Sequence, residues 1–200
     1  MIGGIWMKKT FYLMRHGQTL FNLRRKIQGA CDSPLTERGI EQAKMAGDYL
    51  KDVSFDHFYS STAERACDTL EFAIGEGVTY LRLKGLKEMN FGTFEGESED
   101  LNPKTPGGYA TFFVPYGGES QEEVKKRMKK TCTEIMEKDD HHTVLAVSHG
   151  GACFHFMRNW VSEEKVQQIM SEGGFPNCTI CKYEYEDQVF KLIEVIRPCL

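Results

Sequence analysis

Strand-like runs rich in β-branched and aromatic residues alternate along this chain with segments whose apolar residues recur at helical spacing. The strand-like runs are residues 10–14, 55–59, 79–83 and 143–147, and 180–185 with 189–195 form a predicted closing hairpin. Helices are predicted at 36–50, 61–74, from 120 onward and between 150 and about 170. This alternation predicts an α/β fold, a three-layer α/β/α sandwich with a mostly parallel central sheet and an antiparallel edge pair.

Capping residues mark where three of these helices should begin. Thr36 is the candidate N-cap of the first helix, two residues after Pro34. The segments Ser61-Thr62-Ala63-Glu64 and Ser120-Gln121-Glu122-Glu123 both have the capping-box pattern, in which the first and fourth residues exchange hydrogen bonds. Arg65 would then lie in the first turn of the second helix.

Composition narrows the class of protein. The 200 residues are 40% hydrophobic, which suits one domain spanning 1–200 with a substantial core. A formal net charge of −4 argues against a dedicated nucleic-acid partner, and no apolar run approaches the roughly 20 residues that span a membrane. Seven scattered cysteines, an odd number, favour free thiols in a reducing cytoplasm. The oligomeric state stays open, and a homo-oligomer is compatible with the sequence.

The first residues and one internal segment stand outside the α/β alternation. The apolar stretch within residues 1–9 is too short for a signal peptide, and Met7 resembles a second translation start, so residues 1–6 read as a dispensable extension. Residues 97–118 contain three prolines and four glycines with little periodicity. This segment is therefore predicted to be a lid-like loop over a site.

Two histidines follow strand-like runs at the points where the chain turns toward a helix. They occur in Arg15-His16-Gly17 and Ser148-His149-Gly150. The carboxyl ends of parallel strands meet at one crevice, where ligands bind in open α/β sheets. Arg65, at the start of a helix that follows another strand, would face the same crevice. Imidazoles, guanidinium groups and helix N-terminal amides together predict an anion site suited to phosphate.

Five segments in order resemble the histidine phosphatase superfamily, which includes the cofactor-dependent phosphoglycerate mutases. Residues 13–22 (LMRHGQTLFN) resemble its R-H-G-x-T-x-x-N signature. Residues 35–39 (LTERG), 60–66 (SSTAERA), 86–96 (LKEMNFGTFEG) and 148–150 (SHG) resemble the later motifs. The resemblance implies a phosphoglycerate mutase-like fold and covers most of the chain.

The resemblance also implies a role for each matching residue. His16 would attack phosphorus through Nε2 and form a phosphohistidine. Arg15, Arg65 and a protonated His149 would hold the equatorial phosphoryl oxygens. Glu88 would be the general acid and then the general base. Asn22 would donate to the phosphoryl group, and Gln28 and Gly29 would contact the rest of the substrate. The implied chemistry needs no metal and no cofactor.

Each of these assignments has a structural alternative. Asn22 could cap a helix or turn, Gln28 and Gly29 could form a turn, and Glu88 could be a solvated carboxylate. Several other suggestive groups are given structural readings instead. Cys178 and Cys181 are three apart near a strand and should point to opposite faces, and the histidines at 141, 142 and 155 show no ligand spacing. Basic residues at 125–127 and 129–130 are predicted to form a solvated helix face.

The segment before the Ser120 cap favours a phosphatase over a mutase. Between 97 and 121 one basic residue, Lys104, stands against four acidic ones, and an acidic lid would repel a bisphosphorylated intermediate. The segment also carries Tyr109, Phe112, Phe113 and Tyr116, which could face the substrate or pack the lid onto the core. The sequence thus predicts a phosphomonoester hydrolase that acts on a small phosphorylated metabolite.

Two alternatives remain at this stage. A mutase-type isomerase would be favoured if a basic residue of the 24–26 segment (Arg24, Arg25, Lys26) reached the pocket. A non-catalytic phospholigand-binding module is disfavoured, because such a protein would usually have lost one of the reactive residues.

Overall fold

The computed structural model describes residues 8–75, 77–105 and 107–200. The predicted extension at residues 1–6 and the lid residue Pro106 therefore lie outside the described residues. Among the described helices, none combines the length and apolar character that would let it cross a membrane.

The chain alternates between strands and helices, as expected. The strands are β1 (Lys9–Arg15), β2 (His57–Ser61), β3 (Leu81–Leu83), β4 (Thr143–Ser148), β5 (Ile180–Glu186) and β6 (Val189–Ile196). The α-helices are α1 (Leu20–Leu23), α2 (Glu37–Leu50), α3 (Glu64–Ile74), α4 (Gln121–Met136), α5 (Gly150–Met157) and α6 (Glu163–Ser171). Short 3-10 turns lie at Lys84–Leu86, Gly92–Phe94, Glu99–Leu101 and Val114–Tyr116.

One six-stranded sheet has the order β3-β2-β4-β1-β5-β6. The first four strands in that order run parallel to one another, whereas β5 is antiparallel to both β1 and β6. The predicted mostly parallel sheet with an antiparallel edge pair is confirmed. Because β1 and β4 are neighbours in register, with Arg15 opposite Ser148, the segments that follow them begin side by side.

Side chains of the central strands alternate between the two faces of the sheet, and helices pack against both faces. Phe11 and Leu13 of β1 join one core cluster with residues of α4 and α5, while Tyr12 and Met14 join another with residues of α2 and α3. Successive side chains of a strand point to opposite faces, so a continuously apolar strand is covered by helices on both sides. Cys181 and Cys178 belong to these opposite clusters, and all seven cysteines are free thiols.

Local details differ from the sequence expectations at β2 and α3. The strand spans His57–Ser61 instead of 55–59, since Asp56 turns its carboxylate to the backbone amides of His142 and Thr143. The predicted capping box at 61–64 is wrong: Ala63 is the N-cap and makes no side-chain cap, because the Ser61 hydroxyl is directed to His149. The caps at Thr36 and Ser120 are confirmed.

The aromatic residues of the 97–118 segment pack the lid onto the body of the protein. Phe113 is fully buried in the core shared with α4 and α5, and Tyr109 and Phe112 pack against the same core. Edge-to-face contacts join Phe113 to Phe91 and Phe94, with ring centroids 4.9 and 5.5 Å apart. Segment 97–118 is therefore anchored to the core by its aromatic side chains, and its role as a lid stays a prediction.

Candidate active site

The carboxyl ends of β1 and β4 bring the two predicted histidines together. His16 follows β1 and His149 follows β4, and their ring centroids lie 5.2 Å apart. The backbone N–H of His16 donates to the carbonyl of Ser148 at 3.0 Å, which extends the β1–β4 pairing into the site. The shared crevice expected from the sequence is thus present.

His16 is held in one tautomer by its own backbone. Its Nδ1 lies 2.7 Å from the carbonyl oxygen of Gly17, which can only accept, so Nδ1 carries the proton and Nε2 carries the lone pair. Burial, together with the charges of Arg65 and Arg15, holds the pKa of His16 well below its usual value. The ring is therefore a buried, neutral imidazole whose Nε2 carries the nucleophilic lone pair.

Arg65 lies at the start of α3 and is completely buried. Its Nη1 donates to Asp32 Oδ1 at 2.8 Å and to the carbonyl of Cys31 at 2.9 Å, and its Nη2 donates to the carbonyl of Gly29 at 3.0 Å. A buried guanidinium is tolerated only when its donors are satisfied and its charge is paired, which Asp32 achieves here. Because both Nη1 and Nη2 of the guanidinium donate hydrogen bonds, the orientation of the Arg65 side chain is fixed.

His149 is the fully buried N-cap residue of α5. The Ser61 hydroxyl oxygen accepts from the backbone N–H of Ala63, so its hydrogen can be donated to His149 Nε2 at 2.8 Å. Nδ1 then carries the proton, and this buried nitrogen has no partner within the described residues. Burial, followed by the charge of Arg65, lowers the pKa of His149 well below normal, which favours the neutral ring. Its protonation beside a bound phosphate stays a prediction.

Glu88 is bound to the N-terminus of α5. Its carboxylate accepts from the backbone amides of Gly151 and Ala152, each at 2.8 Å, and from its neighbour Met89 at 2.8 Å. A Cβ at Gly151 would lie 2.8 Å from Glu88 Oε1, so only glycine lets the carboxylate approach this closely. The residue is thus a positioned carboxylate and not a freely solvated one.

Asn22 and Gln28 reach the site in different ways. Asn22 Oδ1 accepts from the backbone of Thr19 in a capping box and from Asn177 Nδ2, and in the described chain no contact engages its Nδ2. Gln28, with its amide oriented so that both ends find partners, accepts from Arg65 Nε at 2.9 Å and donates to Thr19 and Ser33. Asn22 is therefore both a cap and an available donor, whereas Gln28 contacts Arg65.

Gly29 supports Arg65 through its carbonyl and is buried outside the cavity lining. A Cβ at this position would come within 2.1 Å of the Met89 carbonyl oxygen, so the close approach of the two loops requires glycine. The structure places Gly29 behind Arg65 in the loop that shapes the site.

A cavity of about 380 Å³ opens above His16. Its lining includes the predicted site residues Arg15, His16, Asn22, Gln28 and Glu88. The rest of the wall is largely apolar, formed by Ile27, Phe91, Phe154, Met170 and Phe175. Lys26, Glu99 and Asn102 add polar groups, whereas the four lid aromatics do not line it. Arg65 and His149 are not among the lining residues, but both are adjacent to His16.

Several supporting residues were missed by the sequence reading. Glu95 accepts from the backbone amides of Gly29, Ala30, Cys31 and Phe91 and so shapes the loop that binds Arg65. Burial acts to raise the pKa of Glu95, but hydrogen bonds from Cys31 and Phe91 outweigh it and lower the pKa. Glu95 lies within residues 86–96, which resemble a motif of the family, and that resemblance was the sequence signal that could have identified it.

Arg127 also departs from its predicted place on a solvated helix face. Its guanidinium pairs with Glu119 at 2.8 Å and donates to the backbone carbonyls of Gly85, Lys87 and Glu88. The charged side chain therefore holds the segment that carries Glu88. Spacing alone could not distinguish it from its exposed neighbours on α4.

The arrangement can bind a phosphoryl group and offer it a nucleophile. Arg65 Nε lies 3.3 Å from Nε2 of His16, and Arg15 and the positioned carboxylate of Glu88 line the same cavity as His16. The His and Asp side chains of the described residues that could share a metal ion, His57, Asp140 and His141, lie outside this cavity.

Comparisons with known proteins agree with this geometry. The family model of the histidine phosphatase superfamily (branch 1) matches residues 11–196. The chain is 35% identical over 150 residues to "Probable phosphoglycerate mutase GpmB" of Yersinia pestis (strain Pestoides F), covering 70% of this chain and 69% of that relative.

Solved structures with the same fold include both kinds of enzyme. A phosphoglycerate mutase from Bacillus anthracis str. Sterne has a TM-score of 0.79 at 26% identity, covering 96% of this chain and 93% of the other. A phosphoserine phosphatase from Entamoeba histolytica, in complex with 3-phosphoglyceric acid, has a TM-score of 0.77 at 27% identity, covering 96% and 99%. The predicted phosphoglycerate mutase-like fold is confirmed, and the chain belongs to the histidine phosphatase superfamily, branch 1.

Proposed function

We propose that the protein hydrolyses phosphomonoesters through a phosphohistidine at His16. The observation that carries the proposal is the state of this ring: Nδ1 is bound to the Gly17 carbonyl, which leaves the lone pair on Nε2, beside a cavity and 3.3 Å from Arg65 Nε. A neutral imidazole is a good nucleophile toward phosphorus and a good leaving group from it, so one difficult displacement becomes two easier ones.

In the first step, His16 Nε2 forms a bond to phosphorus while the bond from phosphorus to the ester oxygen breaks. Glu88, in its protonated form, gives its proton to the departing oxygen, and the product alcohol leaves. Positive charge from Arg15 and Arg65 offsets the charge on the phosphoryl oxygens. The unpartnered Nδ1–H of His149 and the Nδ2 of Asn22 are further donors suited to these oxygens.

In the second step, a water molecule replaces the alcohol. The water oxygen bonds to phosphorus while the bond between phosphorus and His16 Nε2 breaks. Glu88, now a carboxylate, accepts the proton that this water loses. Inorganic phosphate and neutral His16 result, and phosphate takes away the remaining charge. The same carboxylate thus serves both half-reactions.

The cavity supports a substrate with an apolar or sugar-like portion. Beyond the phosphate-binding end, Phe91, Phe154 and Phe175 present ring surface, which suits stacking against a compact organic group. We place the activity in a reducing cytoplasm, in keeping with the free thiols.

Phosphorus NMR tests the proposal directly. The protein would be incubated with p-nitrophenyl phosphate, and separately with 3-phosphoglycerate plus a trace of 2,3-bisphosphoglycerate, beside a His16→Ala control. We expect inorganic phosphate from the aryl ester with wild type alone. Release of phosphate at the wild-type rate by His16→Ala would overturn the mechanism.

A mutase-type isomerase is the second candidate, and Lys26 is the observation that favours it. Of the three basic residues at 24–26, Lys26 lines the cavity, whereas Arg25 pairs with Asp100 of the lid at 3.2 Å. A lysine in the lining of the same cavity could hold the second anionic group of a bisphosphorylated intermediate. Accumulation of 2-phosphoglycerate in the NMR experiment would establish this activity instead of hydrolysis.

A further inference from the structure

Two histidines and an aspartate form a compact cluster at the end of the sheet opposite the cavity. His57 begins β2, and Asp140 with His141 precedes β4, so the cluster sits at the amino ends of strands whose carboxyl ends carry Ser61 and His149. The imidazole rings of His57 and His141 stack with centroids 3.7 Å apart and planes 13° from parallel.

Both rings direct a nitrogen to the same carboxylate. His57 Nε2 lies 3.0 Å from Asp140 Oδ2, and His141 Nδ1 lies 2.7 Å from Asp140 Oδ1. The three potential ligand atoms all lie within 4.8 Å of one another. Ligand atoms bonded at about 2.1 Å to one tetrahedral zinc ion are separated by roughly 3.4 Å. Because a metal lies in the plane of each imidazole that binds it, the partly exposed His57 ring must turn out of its stack with His141 to complete the site.

The second nitrogen of His141 has a partner of the kind that supports metal ligands. Its Nε2 lies 2.7 Å from the hydroxyl of Tyr59, which also accepts from Lys138 Nζ at 2.7 Å. If a metal bound Nδ1 of the neutral ring, the proton would be on Nε2, and Nε2–H could donate to the Tyr59 oxygen and keep the ring in place.

We propose that His57, Asp140 and His141 bind one divalent transition-metal ion of the zinc class. Two imidazoles and one carboxylate form a donor set suited to zinc, nickel or copper, and not to magnesium, which prefers oxygen ligands. The side chain of Asp140 is 70% exposed and that of His57 is 36% exposed, so water can reach the open positions of the ion. The ion would join the start of β2 to the turn before β4.

Charged groups around the cluster favour a cation only moderately. Asp140 supplies one negative charge at the site, and Lys138 opposes it from the far side of the Tyr59 hydroxyl. Asp56 lies on the same end of the sheet but uses its carboxylate to accept from the amides of His142 and Thr143. The attraction therefore comes mainly from the imidazole and carboxylate donors, which predicts selectivity for zinc over magnesium.

Isothermal titration calorimetry of tag-free protein with ZnCl₂ tests the site, with MgCl₂ as the comparison ion. His57→Gln is the informative variant, since this side chain is partly exposed and its loss leaves the Tyr59–His141 contact in place. His142→Gln is the matched control, because it removes an adjacent exposed histidine outside the cluster. Unfolding temperature with and without zinc provides a second readout, independent of phosphatase activity.

We expect one zinc per chain, no saturable magnesium binding, and a rise in the unfolding temperature with zinc. His57→Gln should weaken zinc binding by at least about tenfold, the size of effect typical even of losing an outer-shell partner. His142→Gln should leave the affinity within about twofold. Zinc affinity unchanged in His57→Gln, or no saturable zinc binding by wild type, would overturn the proposal, whatever the outcome of the phosphatase experiments.

Discussion

Arg65 Nε lies 3.3 Å from His16 Nε2, the nitrogen proposed to accept the phosphoryl group. The opposite nitrogen of the same ring is bound to the Gly17 carbonyl, so Nε2 has a lone pair and Arg65 donates to it. The Gly17 carbonyl thus fixes the tautomer of His16, and the Arg65 guanidinium lies beside the nitrogen that is proposed to react. For phosphorus to bond to Nε2, the hydrogen bond from Arg65 Nε must be released, and the guanidinium is then beside the developing charge.

Replacing His16 with alanine tests the nucleophile. We expect turnover of p-nitrophenyl phosphate to fall at least about a thousandfold, because the remaining groups bind phosphate but cannot form the covalent intermediate. The protein should stay folded, with a loss of no more than about 2 kcal/mol in unfolding free energy, since the ring makes two hydrogen bonds. Acid-quenched samples should show a phosphoenzyme in wild type only. A phosphoenzyme in the alanine variant would place the covalent group elsewhere.

The role of Glu88 is separated from its position by comparing two substrates. Glu88→Gln removes the proton donor but also sets an amide NH₂ against the amides of Gly151 and Ala152, so some general loss is expected. That loss affects all substrates alike. Alkyl phosphates, whose alcohol needs a proton, should be slowed at least about tenfold more than aryl phosphates. Equal slowing in steady-state assays of both classes would assign Glu88 a structural role only.

The strand-end histidines and the fold could be predicted from the sequence because their signals are local: a strand, a turn and a helix cap lie next to one another in the chain. The contacts that set the state of His149 could not. Ser61 has the pattern of a helix cap, and only the packing of β2 beside β4 directs its hydroxyl to His149 instead. Likewise Phe113 lies in an aperiodic segment, so nothing in its spacing shows that it is buried.

Glu95 is predicted to position Arg65 without touching the substrate. Its carboxylate holds the Gly29–Cys31 amides, and the Gly29 and Cys31 carbonyls in turn accept from Arg65. Glu95→Gln should lower kcat about tenfold and weaken vanadate binding in parallel, because both depend on the placement of Arg65. Glu97→Gln, an exposed neighbour, is the matched control. A lower unfolding temperature with unchanged kcat would show that the carboxylate supports only the fold.

Buried histidines should make the protein less stable as the pH falls. Burial lowers the pKa of His155 to about 4, and the pKa values of His16 and His149 are also lowered. Above about pH 6.5 these groups are neutral in both states, but below it only the unfolded chain takes up their protons. The unfolding free energy should therefore decrease from about pH 6.5 downward, by up to about 1.4 kcal/mol per pH unit for each histidine.

Urea unfolding at pH 7.5, 6.5 and 5.5 measures this dependence. His155→Gln should remove the contribution of one histidine, so the unfolding free energy should decline less steeply as the pH falls. His142→Gln, at an exposed position, should leave this slope nearly unchanged. A constant or rising unfolding free energy toward pH 5.5 would contradict the assignment of neutral buried rings.

Lys26 should determine whether the cavity accepts a second anionic group. Lys26 lines the cavity, and no ion pair within the described residues engages its side chain. Lys26→Met keeps the length of the side chain while removing the charge, so kcat/KM for 3-phosphoglycerate should fall about tenfold, or ~1.4 kcal/mol. For p-nitrophenyl phosphate, which lacks a carboxylate, it should change by less than about twofold. Arg24→Met, at an exposed position outside the cavity lining, controls for net charge. If both Lys26→Met and Arg24→Met lowered kcat/KM for 3-phosphoglycerate equally, the effect would be long-range attraction, and the mutase-type candidate would lose the contact that favours it.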